Sequence, residues 1–475
     1  SIAAVGMTLP GVPIMALGRT PDLAWGGTNL RAASTDLVEV SHLQPEEFQT
    51  RAVAIRSRFW PRRQARVRRC AFGPIISDSK LFPSRPGETI AFRWVGHEPT
   101  DEITAFLRAV RARTPEALWR AFAGYGITPL NVVFADRRGN IGHFLAVTQP
   151  VRAGFPEADL VLAGSDPKSR WNGFVDTMGL PFTLNPPEGV VASANDRPRG
   201  TETPIGFLFG AESRLRRLLE LLDRRKRLTV ADLQALQADT GAPDAAVLAK
   251  SLAAQLDAAG ADGEVERRLR AWDGDYGAAS SGAVAFELLL HHLVPCVMAE
   301  GHHAGLRDQI GQWSQIWSFL LRDLEELLAA RKREVLRDAA AGATADLARF
   351  QAWGDMHRLR IAHFLSHVPV IGDAFVIDDI PVGGSRQTPM KTAHGLVNRR
   401  HHSSLGSMAR HVSDLSDPDA NWFVLLGGQD GWFGAENFAD QMPLWREGRY
   451  IRMPLTGTAV ASTFRHVLEL RPRAD

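Results

Sequence analysis

Residues Thr8 to Asp36 read TLPGVPIMALGRTPDLAWGGTNLRAASTD. A Pro-Gly turn at Pro10-Gly11 leads into the apolar run Val12 to Leu17. A second turn spans Gly18 to Asp22, and Leu23-Ala24-Trp25 forms a short strand before Gly26-Gly27-Thr28-Asn29. Turn residues spaced between short apolar runs are the rhythm of a sheet. Two glycines directly after a strand let the backbone come close to a ligand and aim its N–H groups outward; they also suit a plain bend in a β-hairpin.

Around this stretch lie 475 residues, enough to bury a large core and to build two to four domain-sized units. Hydrophobic content of 45% and charged content of 23% are those of an ordinary globular protein. A formal net charge of +2 gives no global argument for nucleic acid or a membrane surface as the main partner. No run reaches the roughly 18 apolar residues that span a bilayer. Cys70 and Cys296 are the only cysteines, which excludes a disulfide framework and permits at most one bridge. The opening SIAAVGMTLPG carries no basic segment ahead of an apolar one, so no targeting signal is read there.

Taken in order, residues 1–206 are strand-rich, with short runs at Leu37–Val40, Ile75–Ile76 and Thr89–Trp94. Arg62, Arg63, Arg66, Arg68 and Arg69 read as a solvated strand face. Helices are expected from Asp101 and from Thr114-Pro115-Glu116, where Thr caps and Pro takes the first helical position. Asn131 to Gly142, NVVFADRRGNIG, reads as a β-hairpin, and Val190-Val191-Ala192 as a buried strand leaving into the polar cluster Ser193 to Asp196. From 207 to 360 the period turns helical: Leu215, Leu218, Leu219 and Leu222, then Val230–Leu236, Ala245–Leu256, Val265–Trp272, Val284–Val297, Leu306–Leu328 and Val335–Phe350. Residues 361–475 return to strands and glycine turns, expected to complete the first sheet. Trp272-Asp273-Gly274 with Ser280 reads as helix-capping chemistry.

LPGVP, then AWG-x-TN, then Asp36-Leu37, resembles the start of the large subunit in the penicillin acylase family of N-terminal-nucleophile (Ntn) hydrolases. The hairpin ending in Gln149-Pro150-Val151-Arg152, the run Asn185-Pro186-Pro187-Glu188-Gly189 up to Asn195, the W-D-G element and Gly427-Gly428-Gln429 follow in the family's order. The resemblance implies an α+β fold, the four-layer αββα Ntn sandwich, with 207–360 as a large helical insertion. It also implies hydrolysis of a linear amide through an acyl-enzyme on an N-terminal serine.

A serine hydroxyl needs a base within hydrogen-bond reach. The serine's own α-amine, with a pKa near 8, suits that role better than a lysine. The oxyanion that forms needs fixed donors. By position in the motifs, the resemblance assigns these to the backbone N–H of Asn29 and the side-chain amide of Asn195, and places Arg214 near the acyl pocket. Ser1 lies seven residues before Thr8, where the family has several tens between nucleophile and LPG motif. The chain is therefore expected to be a fragment lacking its nucleophile segment, and Ser1 to be the nucleophile only if it is not.

The chemistry requires no cofactor. Relatives hold a structural calcium on two acidic residues three apart; here Asp36 matches the second but Ala33 stands at the first, and calcium wants six to eight oxygens. The pairs His291-His292, His302-His303 and His401-His402 lack ligand spacing. Implied substrates are β-lactam side-chain amides, acyl-homoserine lactones or acyl peptides, with a small subunit from the same precursor completing a heterodimer that is periplasmic or secreted. Neither nucleic acid nor a membrane span enters this reading. The rival reading is a catalytically inactive Ntn-fold binding protein.

Overall fold

Strands β1 (Val5–Leu9), β2 (Val12–Arg19) and β3 (Leu23–Asn29) follow one another as antiparallel neighbours, as the turn rhythm requires. At the first pairing Gly6 faces Gly18, and a Cβ on Gly6 would stand 2.3 Å from the Leu17 carbonyl oxygen, so only glycine lets the two strands approach this closely. The strand β3 runs straight through Gly26-Gly27 to Asn29; the two glycines do not bend it.

The computed structural model describes residues 2–82, 84–154, 161–207, 209, 212–223, 227–297, 333–403, 405–467 and 469. Contacts divide the chain into two units, Ser1–Phe209 and Gly210–Asp475.

In the first unit, β4 (Thr35–Glu39) and β8 (Ile90–Trp94) pair antiparallel, and β5 (Gln49–Ile55) and β6 (Arg63–Cys70) form a hairpin closed by β7 (Gly73–Pro74). Strands β9 (Leu130–Asp136) and β10 (Ile141–Ala146) make the expected hairpin. Its turn is held by Asp136 Oδ1, which accepts from the N–H groups of Arg138 and Asn140. β9 lies against β3, so the main sheet has six antiparallel strands in the order β1-β2-β3-β9-β10 and Phe182–Leu184.

Helices α1 (Glu102–Ala109) and α2 (Pro115–Ala121) start where expected: Asp101 caps Thr104 N–H and Thr114 caps Ala117 N–H. Their apolar side joins the sheet through Phe106, Leu118, Phe122 and Tyr125 against Leu23, Trp25, Val132, Phe134 and Phe144. Val190 to Ala192, expected as a buried strand, is half-buried and pairs in no ladder.

The second unit is built from α3 (Ser213–Asp223), α4 (Val230–Gln237), α5 (Pro243–Ala258), α6 (Glu264–Ala271), α7 (Ser281–Val297) and the helix Arg333–Leu347. The expected helix over Leu306–Leu328, the run Arg224-Arg225-Lys226 and the pair His302-His303 lie outside the described residues. The W-D-G element does cap: Trp272 Nε1 donates to Asp275 O, and Ser280 Oγ accepts from Ala283 N–H at the head of α7. Among the described residues the strands from His357 onward pair with one another, His357–Ala362 with Val376–Pro381 and Ala409–Ser413 with Asn421–Leu425, in sheets separate from the six-stranded one.

Helix α7 is apolar on nearly every side, which makes it the central helix of this unit. In the middle of it sits Glu287, only 1% exposed. A buried carboxylate needs a partner. Arg386 donates to both its oxygens, at 3.1 and 2.9 Å, and Tyr276 OH donates to Oε1 at 2.7 Å. Beside them lie His394, His357 and His401, with His357 stacked on Trp353 at 4.6 Å between ring centroids.

Burial first, then Arg386 and the neighbouring rings, hold His357 and His394 well below the ordinary imidazole pKa, and His401 is lowered to about 4. In the unfolded chain all three titrate near 6.5. Below that pH the unfolded state takes up protons that the folded unit refuses, so stability falls as pH falls from 6.5 toward 4. Above 6.5 these groups contribute no pH dependence. The melting temperature is expected to be level between pH 8 and 7 and to drop between pH 6.5 and 5, with a shallower drop in His401→Gln. A melting temperature level down to pH 5 would contradict this.

Candidate active site

Antiparallel pairing alternates, so every second residue of a strand turns its N–H and C=O to one neighbour and the residues between turn theirs to the other. Two backbone bonds fix the parity of β3 against β9: Leu30 N–H donates to Pro129 O, and Arg137 N–H donates to Asp22 O. Even-numbered residues of β3 therefore bond to β9. Asn29, opposite Leu130, turns its N–H and C=O away from β9. On that other side, β2 meets β3 only at Gly18–Arg19 against Ala24–Trp25, well before Asn29.

What meets the outward edge of Asn29 is Asn195. Its Nδ2 donates to Asn29 O at 2.9 Å. An amide nitrogen carries two hydrogens, so it can hold this carbonyl and serve a second acceptor together. Asn195 has φ +64°, a left-handed conformation that asparagine tolerates better than most residues, and the Asp196 carboxylate accepts from Ala194 N–H to close the turn around it. The two asparagines singled out from the sequence, 166 positions apart, are thus side by side.

One residue before Asn29 and two before Asn195 a second cross-link forms: the Thr28 and Ser193 hydroxyls lie 2.7 Å apart. Asn131, opposite Thr28 in the ladder, donates from Nδ2 to Thr28 Oγ1 at 3.3 Å, and its Oδ1 lies 3.3 Å from His143 Nε2. Since that oxygen can only accept, His143 Nε2 carries the proton. Burial lowers the pKa of this imidazole against the opposing pull of Asp196, so the ring is neutral at pH 7. Thr28, Ser193, Asn131 and His143 were not recognised from the sequence.

Asp36 is 6% exposed and fully engaged. Arg152 grips both oxygens, Nε to Oδ2 at 3.0 Å and Nη2 to Oδ1 at 2.9 Å, and Trp171 Nε1 donates to Oδ2 at 2.6 Å. The arginine supplies the charge that a cation would. Among the described residues no group of three or more His, Cys, Asp or Glu is placed to hold a metal. The surroundings of Asp36 do not fit calcium. Arg214 belongs to the second unit, half-buried in the first turn of α3. Ser1 lies outside the described residues. His291 faces Leu396 O, and His292 pairs with Asp346 at 2.8 Å, so both have structural partners.

A family profile described as penicillin amidase matches residues 1–462. The chain belongs to the penicillin amidase family. Among its relatives, the penicillin acylase 2 proenzyme of Pseudomonas sp. strain SE83 is 26% identical over 96% of this chain and 62% of its own length. The acyl-homoserine lactone acylase QuiP of Pseudomonas putida KT2440 is 23% identical over 95% of this chain and 60% of its own. The chain thus spans about 60% of the length of these curated relatives.

Among solved structures, a thermostable penicillin G acylase from Alcaligenes faecalis superposes with a TM-score of 0.70 at 18% identity, covering 100% of this chain and 94% of that one. That likeness establishes the fold: α+β, the Ntn-hydrolase αββα sandwich with its helical insertion.

Proposed function

We propose that this member of the family hydrolyses a linear amide by acyl transfer to an N-terminal serine, with Asn29 N–H and Asn195 Nδ2 as the donors that receive the oxyanion. The observation that carries this reading is the 2.9 Å bond from Asn195 Nδ2 to Asn29 O, which sets a side-chain donor beside an outward-facing strand edge. In the proposed step the serine oxygen attacks the amide carbonyl and the serine's α-amine takes its proton. Negative charge gathers on the former carbonyl oxygen. The amine then leaves with the proton, and water releases the acyl group by the same route. The substrate class is a small acylated amine, of the kind named in the relatives: a penicillin or an acyl-homoserine lactone. The small subunit, the processing that frees the serine and the periplasmic location are part of the same proposal. Replacing Asn195 by alanine tests it: turnover of a chromogenic acyl amide is expected to fall by about 10²–10³-fold while substrate binding persists, and turnover within about threefold of the parent refutes it.

In this mechanism Ser193 is a positioning residue, because its hydroxyl ties the Asn195 segment to Thr28. Ser193→Ala is expected to lower stability by about 1 kcal/mol, the worth of one neutral hydrogen bond, and kcat by roughly tenfold through loosened donors. Ser193→Thr, which keeps the hydroxyl, is expected to restore most of the rate. A variant that loses stability with unchanged kcat would make the bond structural only.

A further inference from the structure

The net charge of +2 conceals a sharp segregation. Between positions 48 and 77 there are eight arginines, Arg51, Arg56, Arg58, Arg62, Arg63, Arg66, Arg68 and Arg69, and no Asp or Glu. The rest of the chain therefore carries −6. All eight lie on the β5–β6 hairpin and its connection. Seven are exposed, and among the described residues only Arg68 reaches an acid, bonding Asp78 at 2.6 and 2.9 Å.

The hairpin is rooted in the core at Cys70, and its far end projects. At that end stand Phe59, 90% exposed, and Trp60, 69% exposed. Phe59 adopts φ +68°, a left-handed conformation costly for a bulky side chain, and its exposure leaves little packing to compensate; its one ring contact among the described residues is the Arg58 guanidinium at 5.0 Å. Below the tip, strand alternation and the register Ile55↔Arg63, Val53↔Ala65, Arg51↔Val67 put Val53, Ile55, Ala65 and Val67 on one face with Arg51 and Arg63. Ile55 is 47% and Val67 41% exposed.

A solvated edge strand guarded by arginine accounts for the charge. It does not account for two aromatics and an aliphatic strip held in water among the cations. Apolar tip, cationic flanks and amphipathic shaft together fit the interface of a bilayer, where aromatic rings sit at headgroup depth and basic side chains meet phosphates. Single-stranded nucleic acid fits less well, because the rings are adjacent at the tip rather than spaced along a groove, and the aliphatic face has nothing to stack.

We propose that the β5–β6 hairpin is a membrane-surface docking arm, in which Phe59 and Trp60 enter the interfacial zone of an anionic phospholipid bilayer and the surrounding arginines bind its phosphates. The arm rests on the surface and does not span it. Its role is to hold the enzyme where amphiphilic substrates gather, and it is independent of the catalytic assignment.

Sedimentation with unilamellar vesicles tests it, using the 475-residue chain. The protein is expected to sediment with phosphatidylcholine vesicles containing phosphatidylglycerol, to stay in solution with phosphatidylcholine alone, and to be released as salt screens the contact. R56Q/R58Q/R62Q/R63Q is expected to weaken partitioning by about 10²–10³-fold, from roughly fivefold per basic residue. F59S/W60S is expected to weaken vesicle binding by at least about tenfold while leaving retention on a heparin column unchanged. No vesicle association at low salt would overturn the proposal. So would association that F59S/W60S leaves intact, or DNA binding as tight as vesicle binding, since either would make the hairpin a general polyanion site.

Discussion

Asn195→Ala is expected to lower kcat for amide hydrolysis by about 10²–10³-fold, with KM changed less than about threefold. The size follows from what the side chain meets. In the proposed mechanism the ground-state carbonyl is neutral and its bond to Nδ2 is modest; in the tetrahedral intermediate that oxygen carries a full charge, and the same donor is worth several times more. An interaction that strengthens only on the way to the transition state appears in kcat and barely in KM.

Asn195→Asp separates the role from mere shape. It keeps the volume but replaces the donor with an anion, and it should be at least as damaging as alanine. The backbone N–H of Asn29 remains in both variants and, in the proposed mechanism, supports a residual rate. An Asn195→Ala enzyme within threefold of the parent would show that the oxyanion forms elsewhere.

Glu287→Ala is expected to cost about 3–5 kcal/mol of folding stability, which for a unit of this size means a melting temperature lower by roughly 6–20 °C. The pair is almost dry, with 3% and 2% of the Arg386 and Glu287 side chains exposed. Removing the carboxylate leaves a guanidinium charge inside the apolar surroundings of α7 and strips Tyr276 OH of its acceptor. A buried pair is worth little against an apolar substitute, but a broken one is expensive.

The double variant Glu287→Leu with Arg386→Met should therefore melt well above Glu287→Ala, and the coupling read from the cycle should exceed about 2 kcal/mol. A drop below about 2 °C in Glu287→Ala, or no recovery in the double variant, would mean that water already solvates the pair.

Much of the fold was legible because local chemistry sets it. The Asp101 and Thr114 caps, the turn at Asp136 and the helical period from Leu215 onward need no knowledge of distant residues. The two asparagines were found by their place in motifs, and the structure brings them within one hydrogen bond. Asn131 and His143 gave no comparable signal. They are ordinary polar residues of a hairpin, and their contact with the site follows from a ladder pairing of Asn131 with Thr28 that spans 103 positions.

Val190-Val191-Ala192 misled because a short apolar run states a preference for burial, not a partner strand. The ion pair at Glu287 left one trace, a lone charge inside the run GAVAFELLLHHLV, but its partner lies 99 positions away.

The alternation that turns Asn29 outward also limits how this stretch can drift over evolutionary time. Inserting one residue between Asp22 and Asn29 would exchange odd for even, sending the outward N–H into the ladder and bringing its neighbour's to the edge. A lineage could lengthen the turns at either end freely. Within the strand, length changes would survive only as a bulge or in twos, so gaps among descendants of this gene should crowd the loops and spare these seven residues.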